Sequence, residues 1–297
     1  MSVVASVWER IATLGMFIAD ALALRLLRVR GFTSRYEASS LGPLHVLEGA
    51  GDGPVSTLVV LHGLGGAAAD MAPLLLALRS VAERILVPDL PGHGRNADNP
   101  GATLKQQELA VGEVLDRLLG QDKAIVYGNS LGGIVAVRYA LQQPDRVAGI
   151  MLASPGGART TEEDHLQILS YFRFDTLGDS RALAARVFPN ILFRLPYVVG
   201  MFVRMRRPST RRFLREAGFE QTFLPEDVAA LRPPILLSWG ADERVFPPSH
   251  LAFFKKNLPS HAEIQEPKGH GHAAFVKTPR AVAAQLRDFG ERIHCRA

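Results

Sequence analysis

Continuous apolar runs and amphipathic stretches alternate along most of this chain. STLVVLHG (56–63) is an unbroken β-branched and leucine run of the kind that forms a strand buried on both faces. GPLHVLEGA (42–50), RILVPDL (84–90), KAIVYGN (123–129), VAGIMLAS (147–154), PILLSWG (234–240) and AEIQE (262–266) supply further strand candidates. Between them, AADMAPLLLALRS (68–80), residues 103–119, LGGIVAVRYALQQ (131–143) and PRAVAAQLRDFGERI (279–293) carry helical periodicity, with Pro73 placed where a first turn tolerates it. Strands alternating with helices predict an α/β protein, a mostly parallel sheet flanked by helices and joined by right-handed crossovers. Residues 158–231 break the alternation with helix-rich, aromatic segments, so the pattern predicts a core of 36–157 and 232–297 with an inserted helical cap.

The first 35 residues stand apart. VVASVWERIATLGMFIADALALRLLRVRGF is long enough to span a bilayer, but Glu9, Arg10 and Asp20 interrupt it. Its longest uncharged stretch, Ile11 to Ala19, is too short to cross. Val7, Ile11, Leu14, Ile18 and Leu22 fall on one helical face, and Arg25, Arg28 and Arg30 follow. Three readings stay open: an interfacial membrane helix, a helix packed on this protein or a partner, and a signal peptide or true span. The small residues of ADALA suit signal cleavage, but the positively charged start of a signal peptide is missing. The expected location is cytoplasmic or peripheral to a membrane rather than secreted.

Charge adds little to this picture. The net charge is +5, which permits an anionic partner without demanding one. The arginines at 204, 206, 207, 211, 212 and 215 form a basic cluster, read either as a solvated face or as a lipid-headgroup dock. No recognised nucleic-acid motif accompanies them, so no nucleic-acid partner is expected. A single cysteine, Cys295, excludes an internal disulfide and a multi-cysteine metal site. His45, His165, His250, His261 and His294 show no metal-ligand spacing, and no metal or cofactor is expected.

One stretch carries chemistry. In VYGNSLGG, Ser130 sits between Gly128 and Gly132 where a strand-like run gives way to a helix-like one. So tight a turn forces strained backbone angles and leaves no room for side chains two positions either side. The hydroxyl then stands at a helix N-terminus, where amides favour developing negative charge. This is the Gly-x-Ser-x-Gly nucleophile elbow.

With LHGLGG (61–66), PDLPGHG (88–94), WGADERVFP (239–247) and GHGHAAFVKTP (269–279), the chain from about 36 to 293 resembles the α/β-hydrolase fold superfamily of serine hydrolases. It is also faintly similar to monoacylglycerol-lipase-like members. The resemblance implies a triad in the chain order serine, acid, histidine. Asp242, one residue past the PILLSWG strand, stands where the acid is expected, and Glu243 is expected to point elsewhere as a surface carboxylate. The alternative acid position, after VAGIMLAS, offers no carboxylate. Of the two histidines in GHGH, His272 lies seven residues before Pro279 and is favoured over His270, although Lys277 occupies a position usually acidic in the family. The backbone amides of Leu64 and Leu131 are expected to form the oxyanion hole, with His62 bracing their loop and Asp89 and His93 serving turn chemistry. The expected activity is hydrolysis of apolar acyl esters by a carboxylesterase or monoacylglycerol-type lipase. The alternatives are a serine-dependent carbon–carbon bond hydrolase of ring-cleavage diketones and a non-catalytic binding protein on the same fold.

Overall fold

A computed structural model describes residues 3–99, 103–188 and 194–294, with side chains over 13–99, 103–188 and 197–293. Eight strands form one sheet in the order β1-β2-β4-β3-β5-β6-β7-β8. They are β1 (Thr33–Glu37), β2 (Leu44–Ala50), β3 (Val55–Leu61), β4 (Ala82–Pro88), β5 (Ala124–Asn129), β6 (Val147–Ala153), β7 (Ile235–Ser238) and β8 (Glu263–Gln265). From β4 to β8 every neighbouring pair is parallel, and β1 and β2 run antiparallel at one edge. All seven expected strands are present within two residues at either end. β1 was not foreseen, because TSRYE has four exposed positions and no apolar alternation.

Twelve α-helices are described: α1 (Val3–Val29), α2 (Ala72–Leu78), α3 (Leu104–Leu119), α4 (Leu131–Gln142), α5 (Glu162–Tyr171), α6 (Leu177–Val187), α7 (Arg194–Met205), α8 (Pro208–Glu216), α9 (Pro225–Ala229), α10 (Pro248–Asn257), α11 (Ala274–Lys277) and α12 (Pro279–His294). AADMAPLLLALRS divides into a 3-10 turn over Ala68–Met71 and then α2, whose start accommodates Pro73. α3 begins at Thr103, whose hydroxyl accepts from the Gln106 amide while the Gln106 side chain accepts from the Thr103 amide.

The sheet separates two apolar layers. On one face Val59, Leu61, Val126 and Leu152 meet Val111, Leu115 and Val135 of α3 and α4. On the other, Leu58, Val60, Ile125 and Met151 meet Leu74, Leu78, Leu286 and Phe289 of α2 and α12. Strands buried on both sides need the unbroken apolar runs seen in the sequence.

Helices α5 to α9 lie between β6 and β7. The two ends of this segment meet where the Phe223 amide donates to the Gly157 carbonyl at 2.7 Å and Ala158 bridges Phe223. At the N-terminus, α1 packs on this protein itself. Met16 and Leu27 are buried against it, and α1 lies along α7. The side chains of Val7, Ile11, His294 and Cys295 lie outside the described residues. No helix among the described residues is long and apolar enough to cross a membrane.

Candidate active site

Ser130 follows β5 directly and opens α4, with φ +54°. Its amide donates to the Ala153 carbonyl at 3.2 Å, and its own carbonyl accepts from the Gly156 amide at 3.1 Å, so the end of β6 and the loop after it clamp the turn. The flanking glycines are sterically required. A Cβ on Gly128 would stand 2.4 Å from the Gly132 carbonyl oxygen, and one on Gly132 would stand 2.3 Å from that of Leu61. The only other described non-glycine residue at positive φ is Ser154 (+41°), at the adjacent strand end. Two strained serines side by side mark the place where the fold holds an unfavourable backbone for a purpose.

The histidine loop brings His272, not His270, to the serine. Ser130 and His272 line one cavity of about 170 Å³. His272 Nδ1 donates to Glu243 Oε2 at 2.9 Å, and the two side chains are 7% and 3% exposed. Asp242, the expected acid, does not reach this histidine. Its amide bonds the His270 carbonyl at 2.8 Å, and its charge acts on His270. The reason is the turn after β7. Trp239 continues the pairing to Gln265, then the Glu243 amide closes a tight turn onto the Gly240 carbonyl at 3.0 Å. Gly240 lies so close to His270 that a Cβ would come 2.3 Å from its carbonyl oxygen. The turn therefore directs its last residue inward, and the longer glutamate side chain spans the gap.

Glu243 is well satisfied. Its Oε1 accepts from the Val245 amide at 2.6 Å, and the Ser154 hydroxyl bonds the same carboxylate. Burial pushes its pKa upward, but the His272 charge and hydrogen bond, with Val245 and Ser154, outweigh this and hold it below the ordinary glutamate value. The carboxylate stays ionised opposite His272. Phe246 packs edge-on against the His272 ring at 5.2 Å and fixes its plane.

Sequence reasoning missed two residues here. Asn129 Nδ2 donates both to the Ala153 carbonyl (3.1 Å) and to the His272 carbonyl (3.0 Å), tying the elbow to the histidine loop. Ser154 carries no pattern of its own beyond following a core strand.

The loop after β3 completes the front of the cavity. His62 Nδ1 donates to the Gly63 carbonyl at 2.8 Å, and its Nε2 accepts from the Leu90 amide at 3.0 Å. Burial holds it neutral, below its ordinary pKa, even with Asp89 nearby. His62 thus braces the loop carrying Leu64. Asp89 accepts from His45, the Ala68 amide and the Arg95 amide, organising the same turn. Leu64 lines the cavity, and Leu131 opens α4, where a first-turn amide has no intrahelical acceptor.

The remaining lining is mainly apolar: Met16, Phe172, Leu183, Val187, Phe188, Met201 and Phe275. Its polar members include Tyr197 and a charged group of Arg204, Asp20 and Asp70: Arg204 binds Asp20 of α1 at 2.6 Å and also Asp70, itself bonded to the Ala67 amide just after the glycine loop. Burial holds Asp20 above its ordinary pKa, against the opposing pull of Arg204. The six arginines, read in the sequence either as a solvated face or as a headgroup dock, are dispersed by the fold. Arg204 is buried, Arg206 lies over the Phe202 ring, Arg207 bonds the Gly92 and Gly94 carbonyls, and Arg212 pairs with Glu216. Arg211 and Arg215 remain exposed. No group of three or more His, Cys, Asp or Glu side chains among the described residues converges as a metal site.

This arrangement can be compared with known proteins. Residues 58–285 match the family described as the alpha/beta hydrolase family. The chain belongs to that family. This alpha/beta hydrolase is 26% identical to pimeloyl-[acyl-carrier protein] methyl ester esterase of Edwardsiella ictaluri, over 79% of this chain and 93% of the relative. It is 28% identical to 2-hydroxy-6-oxononadienedioate/2-hydroxy-6-oxononatrienedioate hydrolase of Klebsiella pneumoniae, over 66% of this chain and 74% of that one. Its fold matches the crystal structure of a carboxylesterase from Bacillus subtilis with a TM-score of 0.77 at 19% identity, covering 94% of this chain and 98% of the other. The relatives are hydrolases of esters and of carbon–carbon bonds alike, so the family alone does not select the bond.

Proposed function

We propose that the protein is a serine hydrolase of carboxylic esters with an apolar acyl chain, acting through Ser130, His272 and Glu243. The observation that carries this reading is the juxtaposition of Ser130, at φ +54°, with His272, whose Nδ1 is held by buried Glu243, in one mainly apolar cavity. With Nδ1–H donated to the carboxylate, Nε2 is the basic nitrogen. It takes the Ser130 proton as Oγ attacks the ester carbonyl. The tetrahedral oxyanion is held by the Leu64 and Leu131 amides, each donor of this kind contributing about 3 kcal/mol. His272 then returns the proton to the leaving alcohol, giving an acyl-enzyme, and water repeats the cycle to release the acid.

Helices α6 and α7 act as a cap, since their Leu183, Val187, Met201 and Arg204 lie over the same cavity as Ser130. A carbon–carbon bond hydrolase like the Klebsiella relative would take a dianion, by that protein's name. Arg204 is the only arginine or lysine among the described lining residues, and two carboxylates already hold it. That favours an uncharged ester.

The test is hydrolysis of p-nitrophenyl esters from acetate to palmitate by the protein and by Ser130→Ala, with fluorophosphonate labelling. Cleavage and labelling that both vanish in the variant support the reading. Neither cleavage nor labelling in the unaltered protein would overturn it in favour of a non-catalytic binding protein.

A further inference from the structure

Helix α1 has two faces with different fates. Met16, Asp20 and Leu27, one and two turns apart, face the protein; Met16 and Leu27 are buried and Asp20 bonds Arg204. Met16, Ala19 and Asp20 also wall the cavity that contains Ser130. Through Arg204 the same anchor reaches Asp70 and the glycine loop. α1 is therefore a fixed part of the active-site wall.

Its opposite face is apolar and open. Leu14 is 61% exposed, Phe17 57%, Ile18 51% and Leu22 62%, and Leu26 extends the row. Large apolar side chains standing singly on a surface are ordinary, but five along one helical stripe are not. At the C-terminal end of the stripe stand Arg25, Arg28 and Arg30, all exposed. Asp20, the one acidic side chain described on α1, points the other way, into Arg204. An apolar face ending in arginines with no acid among its described side chains complements a surface that is apolar in depth and anionic at its boundary.

We propose that α1 docks this protein on an anionic lipid bilayer, with Leu14, Phe17, Ile18 and Leu22 entering the acyl boundary and Arg25 and Arg28 meeting lipid phosphates. The helix then lies along the membrane with the Ser130 cavity on its other side, and substrate reaches the cavity from the lipid phase. This last step rests on the esterase reading above; the docking itself does not.

Vesicle flotation tests the docking without turnover. The full chain is floated with phosphatidylcholine vesicles and with vesicles containing a quarter phosphatidylglycerol, beside a variant carrying Leu14→Gln, Phe17→Gln, Ile18→Gln and Leu22→Gln, none of which lines the cavity. The protein and Ser130→Ala are expected to float equally well with anionic vesicles. The glutamine variant should bind at least about tenfold more weakly. Arg25→Glu with Arg28→Glu should remove the preference for the anionic vesicles. Equal flotation of the glutamine variant and the parent overturns the proposal. So does a lipid-free dimer that the glutamine variant converts to monomer, since a second copy would then cover the face. Rates on soluble p-nitrophenyl butyrate should be the same in parent and glutamine variant, while the rate on a long-chain ester carried in anionic vesicles falls with binding. Flotation without any ester cleavage would remove the esterase reading and leave the docking standing.

Discussion

Glu243 Oε2 stands 2.9 Å from His272 Nδ1, while Asp242, its neighbour in the chain, contacts the histidine loop through its backbone and acts on His270 instead. Two adjacent carboxylates thus have separable roles, and substitution distinguishes them. Glu243→Gln keeps the size of the side chain but removes the charge opposite the imidazolium that forms during attack. Its kcat on p-nitrophenyl butyrate is expected to fall by about three orders of magnitude. Asp242→Asn is expected to stay within about threefold of the parent, because its side chain makes no contact with the reacting groups. The reverse order of effects would restore Asp242 as the acid.

Asn129 positions rather than reacts. Its amide holds the carbonyls of Ala153 and His272, so Asn129→Ala leaves two buried acceptors without that donor. The expected destabilisation is about 1–3 kcal/mol. The His272 loop should also lose its register with Ser130, lowering kcat by about tenfold or more with little change in KM, since Asn129 supplies no substrate-binding charge. Fluorophosphonate labelling rates would fall in parallel. A lowered melting temperature with unchanged labelling would assign Asn129 to stability alone.

Much of this arrangement is legible from the chain because its causes are local. The buried parallel strands require unbroken apolar runs, and STLVVLHG and KAIVYGN display them. The elbow requires glycine at 128 and 132, where neighbouring carbonyls lie within 2.4 Å of any Cβ. Ser130 could therefore be named from four letters of context. The acid could not be read this way, because Asp242 and Glu243 are both carboxylates one residue apart. Which one faces His272 depends on the Gly240–Glu243 turn and on His270 packed against it, contacts that join segments some thirty residues apart. Arg204 failed for the same reason. In sequence it is one of six clustered arginines, and only the fold brings Asp20 and Asp70 to it from 184 and 134 residues away.

The glycine requirement at the elbow is itself testable. Gly128→Ala places a methyl 2.4 Å from the Gly132 carbonyl oxygen, against backbone that cannot swing aside. It should cost about 3 kcal/mol, near the upper end for overpacking, because a carbonyl rather than a flexible side chain must yield. Gly120→Ala is the control for backbone conformation. Its φ is positive, at +57°, where that of Gly128 is not, and nothing lies within 4 Å of its Cβ, so only conformational strain of about 1–3 kcal/mol is expected. Urea midpoints of the two variants separate steric from conformational cost.

Acid sensitivity should trace to histidines that the fold keeps neutral. Burial lowers His250 to about 4, with Asp164 and Glu243 pulling it upward and His165 pushing it down. Its ring stacks on Phe246 at 5.0 Å, and its Nδ1 has no partner. Between pH 6.5, its ordinary value, and about 4, the unfolded chain binds a proton at this position that the folded protein refuses. Stability therefore falls as pH falls through that window, at up to about 1.4 kcal/mol per pH unit from this group. His93, lowered to about 3, adds to the same slope. His250→Phe retains a ring against Phe246 and removes one titrating group, so the slope should flatten by up to one proton's worth. Urea unfolding at intervals from about pH 7 to about pH 4.5 measures it directly. Parallel slopes in parent and variant would mean that His250 protonates in the folded state as readily as in the unfolded one, and the acid sensitivity would then rest with His93 and His62.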